Sequence, residues 1–173
     1  MDILISSNLE RLLYHLAGDD GAAIQELMDK LDKEKRYEVN PQIREGMKKF
    51  CGGCATVEET NETIGSMYRE HGYLIDTHTA VAYKVYQDYV KETGDETPAL
   101  IASTASAYKF AESVAKSIGL PDRDSGFAYI EDIAKETGVR VPKALKDLDK
   151  KEIRHRGVIT IDEMAQAVED SVK

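Results

Sequence analysis

Apolar positions recur at helical spacing along most of the chain. Ile24, Leu27, Met28 and Leu31 stand at i, i+3, i+4 and i+7, which puts all four on one face of a helix. Before them, Leu12, Leu13 and Leu16 belong to a helix opened by Ser7-Asn8-Leu9-Glu10, a serine with a glutamate three residues on, and stopped near Gly18. Asn40-Pro41 reads as a cap followed by a first-turn proline, starting a short helix through Ile43 and Met47. Thr56-Val57-Glu58-Glu59 is a second capping box, and its helix should reach His71 and stop at Gly72. Asp76 or Thr77 starts the next, which carries Val81, Val85 and Tyr89 beside Ala82, Tyr86 and Val90 and ends at Gly94. Further helices are predicted over 109–118, 127–137 and 142–148. A third box, Thr160-Ile161-Asp162-Glu163, opens the last helix, with Ile161, Met164, Ala165 and Val168 on one face.

Between these stretches lie four short runs with strand character, 3–6, 50–55, 73–75 and 100–103. Strands alternating with helices predict an α/β fold: helix-rich, with a small, mostly parallel sheet flanked by helices. Four short strands are few for so many helices, which implies that sheet partners lie outside this chain. With no repeats and no low-complexity linkers, residues 1–173 read as a single folded unit.

Composition narrows the class. At 173 residues, 42 % hydrophobic and 32 % charged, the chain can bury a core and does not read as disordered. A net charge of -9 argues against a nucleic-acid partner. The one basic cluster, Lys150-Lys151 with Arg154-His155-Arg156, reads as a solvated turn before the last helix or as a phosphate patch. No apolar run approaches a membrane span, and Met1-Asp2-Ile3-Leu4 has no basic region of the signal-peptide kind. Two cysteines without an export signal predict a reducing, cytoplasmic setting.

Candidate chemistry gathers in a few places. Ala99-Leu100-Ile101-Ala102, set off by Pro98, ends in Ser103-Thr104-Ala105-Ser106. Hydroxyls beyond the carboxyl end of a strand either contact a ligand in the crevice there or cap the following helix. Cys51-Gly52-Gly53-Cys54 has the spacing of a redox dithiol or half a zinc site, but no second ligand pair accompanies it, so ordinary thiols are expected. The double glycine would cradle a phosphate only against the repulsion of Glu58 and Glu59. His78 is expected to anchor the start of its helix by hydrogen bonding. From the residues alone, a non-enzymatic helical interaction module and a thiol redox protein both stay open as readings.

Several runs together resemble one family, the threonine synthases, enzymes dependent on pyridoxal phosphate. They are the amino-terminal run 1–11, Gly72-Tyr73 with His78-Thr79-Ala80-Val81-Ala82-Tyr83, and Ser103-Thr104-Ala105 with Lys109-Phe110 and Glu112-Ser113-Val114, in the family's order and spacing. Thr77 and Ala107 stand where the family has prolines, and Ser106 where some members have histidine. The resemblance covers about the last third of such an enzyme and implies a carboxy-terminal segment of a larger pyridoxal-phosphate fold. It implies conversion of O-phosphohomoserine and water to threonine and phosphate, with the missing amino-terminal part as partner. Thr104 matches a hydroxyl that meets the cofactor's pyridine nitrogen, with Ser103 beside it. Lys109 reads either as a cation for the substrate's phosphate or carboxylate or as an exposed structural lysine, and Ser106 is expected beside it as a substrate contact. The family's cofactor-anchoring Phe-Lys-Asp and its Gly-Asn phosphate loop do not occur here, so this segment is expected to hold no catalytic lysine, no metal and no cofactor alone.

Overall fold

The computed structural model describes residues 5–154 and 156–172. Eight α-helices span Ser7–Leu16 (α1), Gly21–Glu34 (α2), Pro41–Met47 (α3), Val57–His71 (α4), Thr77–Thr93 (α5), Ala111–Ser117 (α6), Gly126–Thr137 (α7) and Met164–Ser171 (α8). Short 3-10 turns cover Ala107–Phe110, Leu148–Lys150 and Ile161–Glu163. The chain divides into two compact units, one of residues 1–54 and 85–97, the other of residues 55–84 and 98–173.

Local signals place most helix ends. Thr56 accepts from the Glu59 amide at 3.1 Å, while the Glu59 carboxylate accepts from the Thr56 amide at 2.8 Å, so the predicted capping box is formed in full. Asn40 accepts from the Ile43 amide ahead of Pro41, and Gly72 closes α4 in the left-handed conformation. At α1 the cap sits one residue earlier than the pattern predicts: Ser6, not Ser7, accepts from Leu9. The helix expected over 142–148 is a run of turns instead, and Asp147 at φ 56° breaks any continuation into 148.

In the first unit, α1, α2 and α3 bury Leu13, Ile24, Leu27 and Ile43, with Tyr14, Leu16, Met28 and Met47 packed around them. In the second, Ile64, Ile75, Ala80, Tyr108, Val114, Tyr129 and Ile133 form the core, contributed by α4, the start of α5, the 107–110 turn, α6 and α7. Helices α4 and α6 touch backbone to backbone at Gly65, where an added Cβ would lie 2.5 Å from the Ser117 carbonyl oxygen.

The expected sheet is absent among the described residues. Segments 50–55, 73–75 and 100–103 run as coil, Ile5 is exposed and Ser6 is a helix cap, while residues 3 and 4 lie outside the described residues. A strand is held by non-local ladder bonds, and an apolar run with no neighbour in register stays unpaired. Leu100, the apolar centre of the 98–104 segment, is fully exposed. The stripe expected to bury α8 is likewise exposed at Ile161, Met164 and Val168.

Candidate functional site

The amino end of α5 is built on one buried carboxylate. Asp76 accepts from the amides of His78 at 2.8 Å and Thr79 at 3.3 Å, and its second oxygen takes the hydroxyl proton of Thr79. The Asp76 side chain has no exposure to solvent. These three hydrogen bonds, two to one oxygen and one to the other, satisfy the buried carboxylate. Asp76, not His78, therefore anchors the helix start. The His78 ring makes only long approaches, its Nδ1 lying 3.5 Å from Asp76 Oδ1 and 3.5 Å from Thr77 Oγ1, and it is about a third exposed.

That carboxylate reaches the hydroxyl cluster through Thr79. Thr79 Oγ1 lies 3.0 Å from Ser103 Oγ. A hydroxyl has one proton, and the Thr79 proton is taken by Asp76, so Ser103 supplies the proton of this second bond. The chain Asp76–Thr79–Ser103 thus ties the 98–104 segment to the first turn of α5, across 24 residues of sequence.

The other predicted residues follow directly. Thr104 is exposed at the end of the tethered segment. Ser106 caps the 107–110 turn, its oxygen accepting from the Tyr108 amide at 3.3 Å. The capping reading of these hydroxyls therefore holds for Ser106, while Ser103 bonds a side chain and Thr104 remains open to solvent. Lys109 is exposed, with Nζ 5.5 Å from the centroid of the Phe110 ring. The same ring carries His78 at 5.0 Å between centroids. Beneath it, Tyr108 is buried and donates its hydroxyl to the Val139 carbonyl, fixing the turn that presents Lys109 and Phe110.

His78 and Asp76 join the cluster although the residue pattern assigned neither to it. Their separation of 25 or more positions from Ser103 hides the relation, and only the buried Asp-x-x-Thr cap signalled it in sequence.

The remaining candidates do not assemble. Cys51 and Cys54 are both exposed, with no turn between them to bring the thiols together. No group of three or more metal-ligating side chains occurs among the described residues. Gly53 packs on Val85, where a Cβ would meet one valine methyl at 2.8 Å and the other at 3.0 Å, while Gly52 beside it stands in open space. Lys150 pairs with Asp147 at 2.9 Å; Lys151, Arg154 and Arg156 are exposed, and His155 lies outside the described residues. No described helix is long and apolar enough to cross a membrane.

The family model for "Threonine synthase, C-terminal" matches residues 79–172, more than half of the chain and all of the hydroxyl cluster. The chain belongs to the threonine synthase family. Its relatives include threonine synthase of Saccharomyces cerevisiae, 30 % identical over 99 % of this chain and 35 % of that protein. Threonine synthase-like 2 of Xenopus laevis is 29 % identical over the whole chain and 33 % of its own length. Threonine synthase of Pseudomonas aeruginosa is 36 % identical over 68 % of the chain and 25 % of its length. The chain thus spans about a third or less of these relatives.

Among solved structures, yeast threonine synthase superposes with a TM-score of 0.73 at 28 % identity, covering 99 % of this chain and 35 % of that one. The PLP-bound threonine synthase of Brucella melitensis gives 0.63 at 31 % identity, over 88 % of this chain and 29 % of its own. The helical architecture described above is therefore that of a carboxy-terminal segment of a threonine synthase.

Proposed function

We propose that this chain acts as the carboxy-terminal part of a pyridoxal-phosphate-dependent threonine synthase, a lyase that converts O-phosphohomoserine and water to threonine and phosphate. The carrying observation is the likeness of 99 % of the chain, in sequence and in fold, to one third of the yeast enzyme. The rest of the enzyme, an amino-terminal part, is its partner.

The residues present fit one edge of the cofactor and not the whole of it. Thr104 offers an exposed neutral hydroxyl on a segment tethered by a buried carboxylate, which suits a pyridine nitrogen. Phe-Lys-Asp does not occur in the chain, so the anchoring lysine belongs to the partner part. The chemistry the cofactor supplies when bound is electron withdrawal from the substrate's carbons.

This chain contributes orientation and recognition. Thr104 shares a hydrogen bond with the ring nitrogen, and a hydroxyl there does not enforce protonation as a carboxylate would. Ser103, whose proton is given to Thr79, contributes to the cofactor site by holding Thr104 at its edge. Lys109, exposed one turn further on, draws the phosphate or carboxylate of the substrate, and Ser106 keeps its O–H proton for the same ligand while its oxygen caps the turn.

The test joins this segment to the first two thirds of the yeast enzyme in place of that enzyme's own last third. Threonine and phosphate should form from O-phosphohomoserine, with no product from either part alone. A soluble, cofactor-loaded chimera without any turnover would overturn the reading.

A further inference from the structure

We propose that the carboxy-terminal arm, residues 157–172, docks on residues 139–154 of a second copy of this chain, so that two chains pair about a two-fold axis. Both stretches belong to the second unit. Every side chain from Ile161 to Val172 except Ala167 is exposed. The arm nonetheless keeps its helix, with the Thr160 amide donating to the Glu163 carboxylate at 2.8 Å ahead of α8. Ile161, Met164, Val168 and Val172 follow one another at helical spacing along one face and are 54 to 85 % exposed. Eight residues are too few for a helix to hold by itself in water, so such a face calls for a partner.

Charge selects that partner. Residues 157–172 carry four carboxylates, Asp162, Glu163, Glu169 and Asp170, and no lysine or arginine. Residues 139–154 carry six lysines and arginines against three carboxylates, with exposed Val139, Leu148 and Ile153 set among them. The start of that stretch is a firm platform. Val141 and Leu145 pack on the core of the second unit, and the Val139 carbonyl accepts from the buried Tyr108. Lys143 and Lys146 stand exposed on it. Arm and platform are both exposed in one molecule, so the arm does not cover the platform of its own chain. Pairing arm with arm would set carboxylates against carboxylates, which opposes association. The side chains of one stripe also fall short of the roughly 800 Å² per partner that a stable interface takes. In a two-fold pair each chain gives its arm and receives the other's, so both surfaces are covered and the assembly closes.

The experiment is sedimentation velocity of the 173-residue chain over a roughly hundredfold range of concentration about the micromolar level. A monomer–dimer equilibrium is expected, weakening as salt rises from about 0.05 M to about 0.5 M and screens the charges. Val168→Asp, an exposed change, should raise the dissociation constant about tenfold or more with the far-ultraviolet spectrum unchanged. Reversing the arm with Asp162→Lys and Glu169→Lys should abolish self-association, and so should reversing the platform with Lys143→Glu and Lys146→Glu. Mixed in equal amounts, the two reversed proteins should pair with each other, since each arm then meets a platform of opposite charge.

A monomer at every concentration would overturn the proposal, and slower amide exchange of α8 in the chimera would then give the face to the amino-terminal part. A dimer that survives both charge reversals would overturn it too, because its interface would lie elsewhere. So would loss of both self-associations with no recovery on mixing. Nothing in this pairing depends on threonine synthase activity, so its failure is separate from failure of the chimera.

Discussion

Thr104 and Gly65 act at the scale of single atoms, and each gives a sharp expectation. In the chimeric enzyme, Thr104→Val keeps the β-branched shape and removes the hydroxyl proposed to pair with the ring nitrogen. Leaving that polar atom unpaired costs on the order of 1–3 kcal/mol. If the interaction strengthens in the transition state, turnover falls roughly ten- to hundredfold, at about 1.4 kcal/mol per decade. Because Thr104 is exposed in this chain, the thermal midpoint should not move. Wild-type turnover would remove Thr104 from the site, and a collapsed midpoint would make it structural. At Gly65 the neighbour is backbone: a Cβ meets the Ser117 carbonyl oxygen at 2.5 Å and Arg69 Nη1 at 2.8 Å. The arginine can swing aside and the carbonyl cannot. Gly65→Ala should therefore destabilise the second unit by about 1–3 kcal/mol, the range for forced overpacking. The check is the urea midpoint of the chain, and an unchanged midpoint would mean that α4 and α6 separate at no cost.

The elements divide by how local their causes are. At the start of α4 the Glu59 carboxylate is held below the usual range, first by the Thr56 amide that donates to it and then by the Thr56 hydroxyl. A lowered folded-state pKa contributes stability above the unfolded value, and that stability is lost as pH falls through the folded value. Amide exchange at the first turn of α4 should accelerate in acid over that window, and Glu59→Gln should remove the pH dependence. The same locality made α2, α3, α4 and α7 legible in sequence, since caps, left-handed glycines and i, i+4 stripes lie within a few residues of what they control. What failed was non-local. The segments 50–55, 73–75 and 100–103 have strand composition, yet strand pairing depends on chain that must lie alongside them. The site shows the same division. Ser103, Thr104 and Ser106 stood out as candidates because they follow one apolar run, and Lys109 because the family resemblance carries it. The Asp76–Thr79–Ser103 chain was not, because it joins residues 24 or more apart that only the folded second unit brings together. The 142–148 helix is turns instead, and the left-handed Asp147 near its end was announced by no capping pattern.

At the scale of the whole molecule, two compact units each own a core, yet large apolar side chains stay uncovered: Leu100, Val158, Ile161 and Val172 are all more than four-fifths exposed. The relatives that the chain matches over its whole length are about three times as long. The chemistry divides in the same way. Thr104 and Lys109 are proposed to orient and recognise, whereas a covalent hold on the cofactor needs a lysine whose ammonium is desolvated or otherwise activated. None of the lysines with a raised pKa here meets that condition: Lys30, Lys116 and Lys150 are raised by carboxylate partners that keep the ammonium charged. A charged, exposed amine is a poor nucleophile, so no single lysine should stand out. Mixing the chain with pyridoxal phosphate, reducing with borohydride and mapping the modified peptides by mass spectrometry should give substoichiometric labelling spread over surface lysines. In the chimera, the same procedure should label one lysine of the yeast-derived part to near stoichiometry. Stoichiometric labelling at one lysine of this chain alone would overturn the division of labour between the two parts, because the covalent anchor would then lie within these 173 residues.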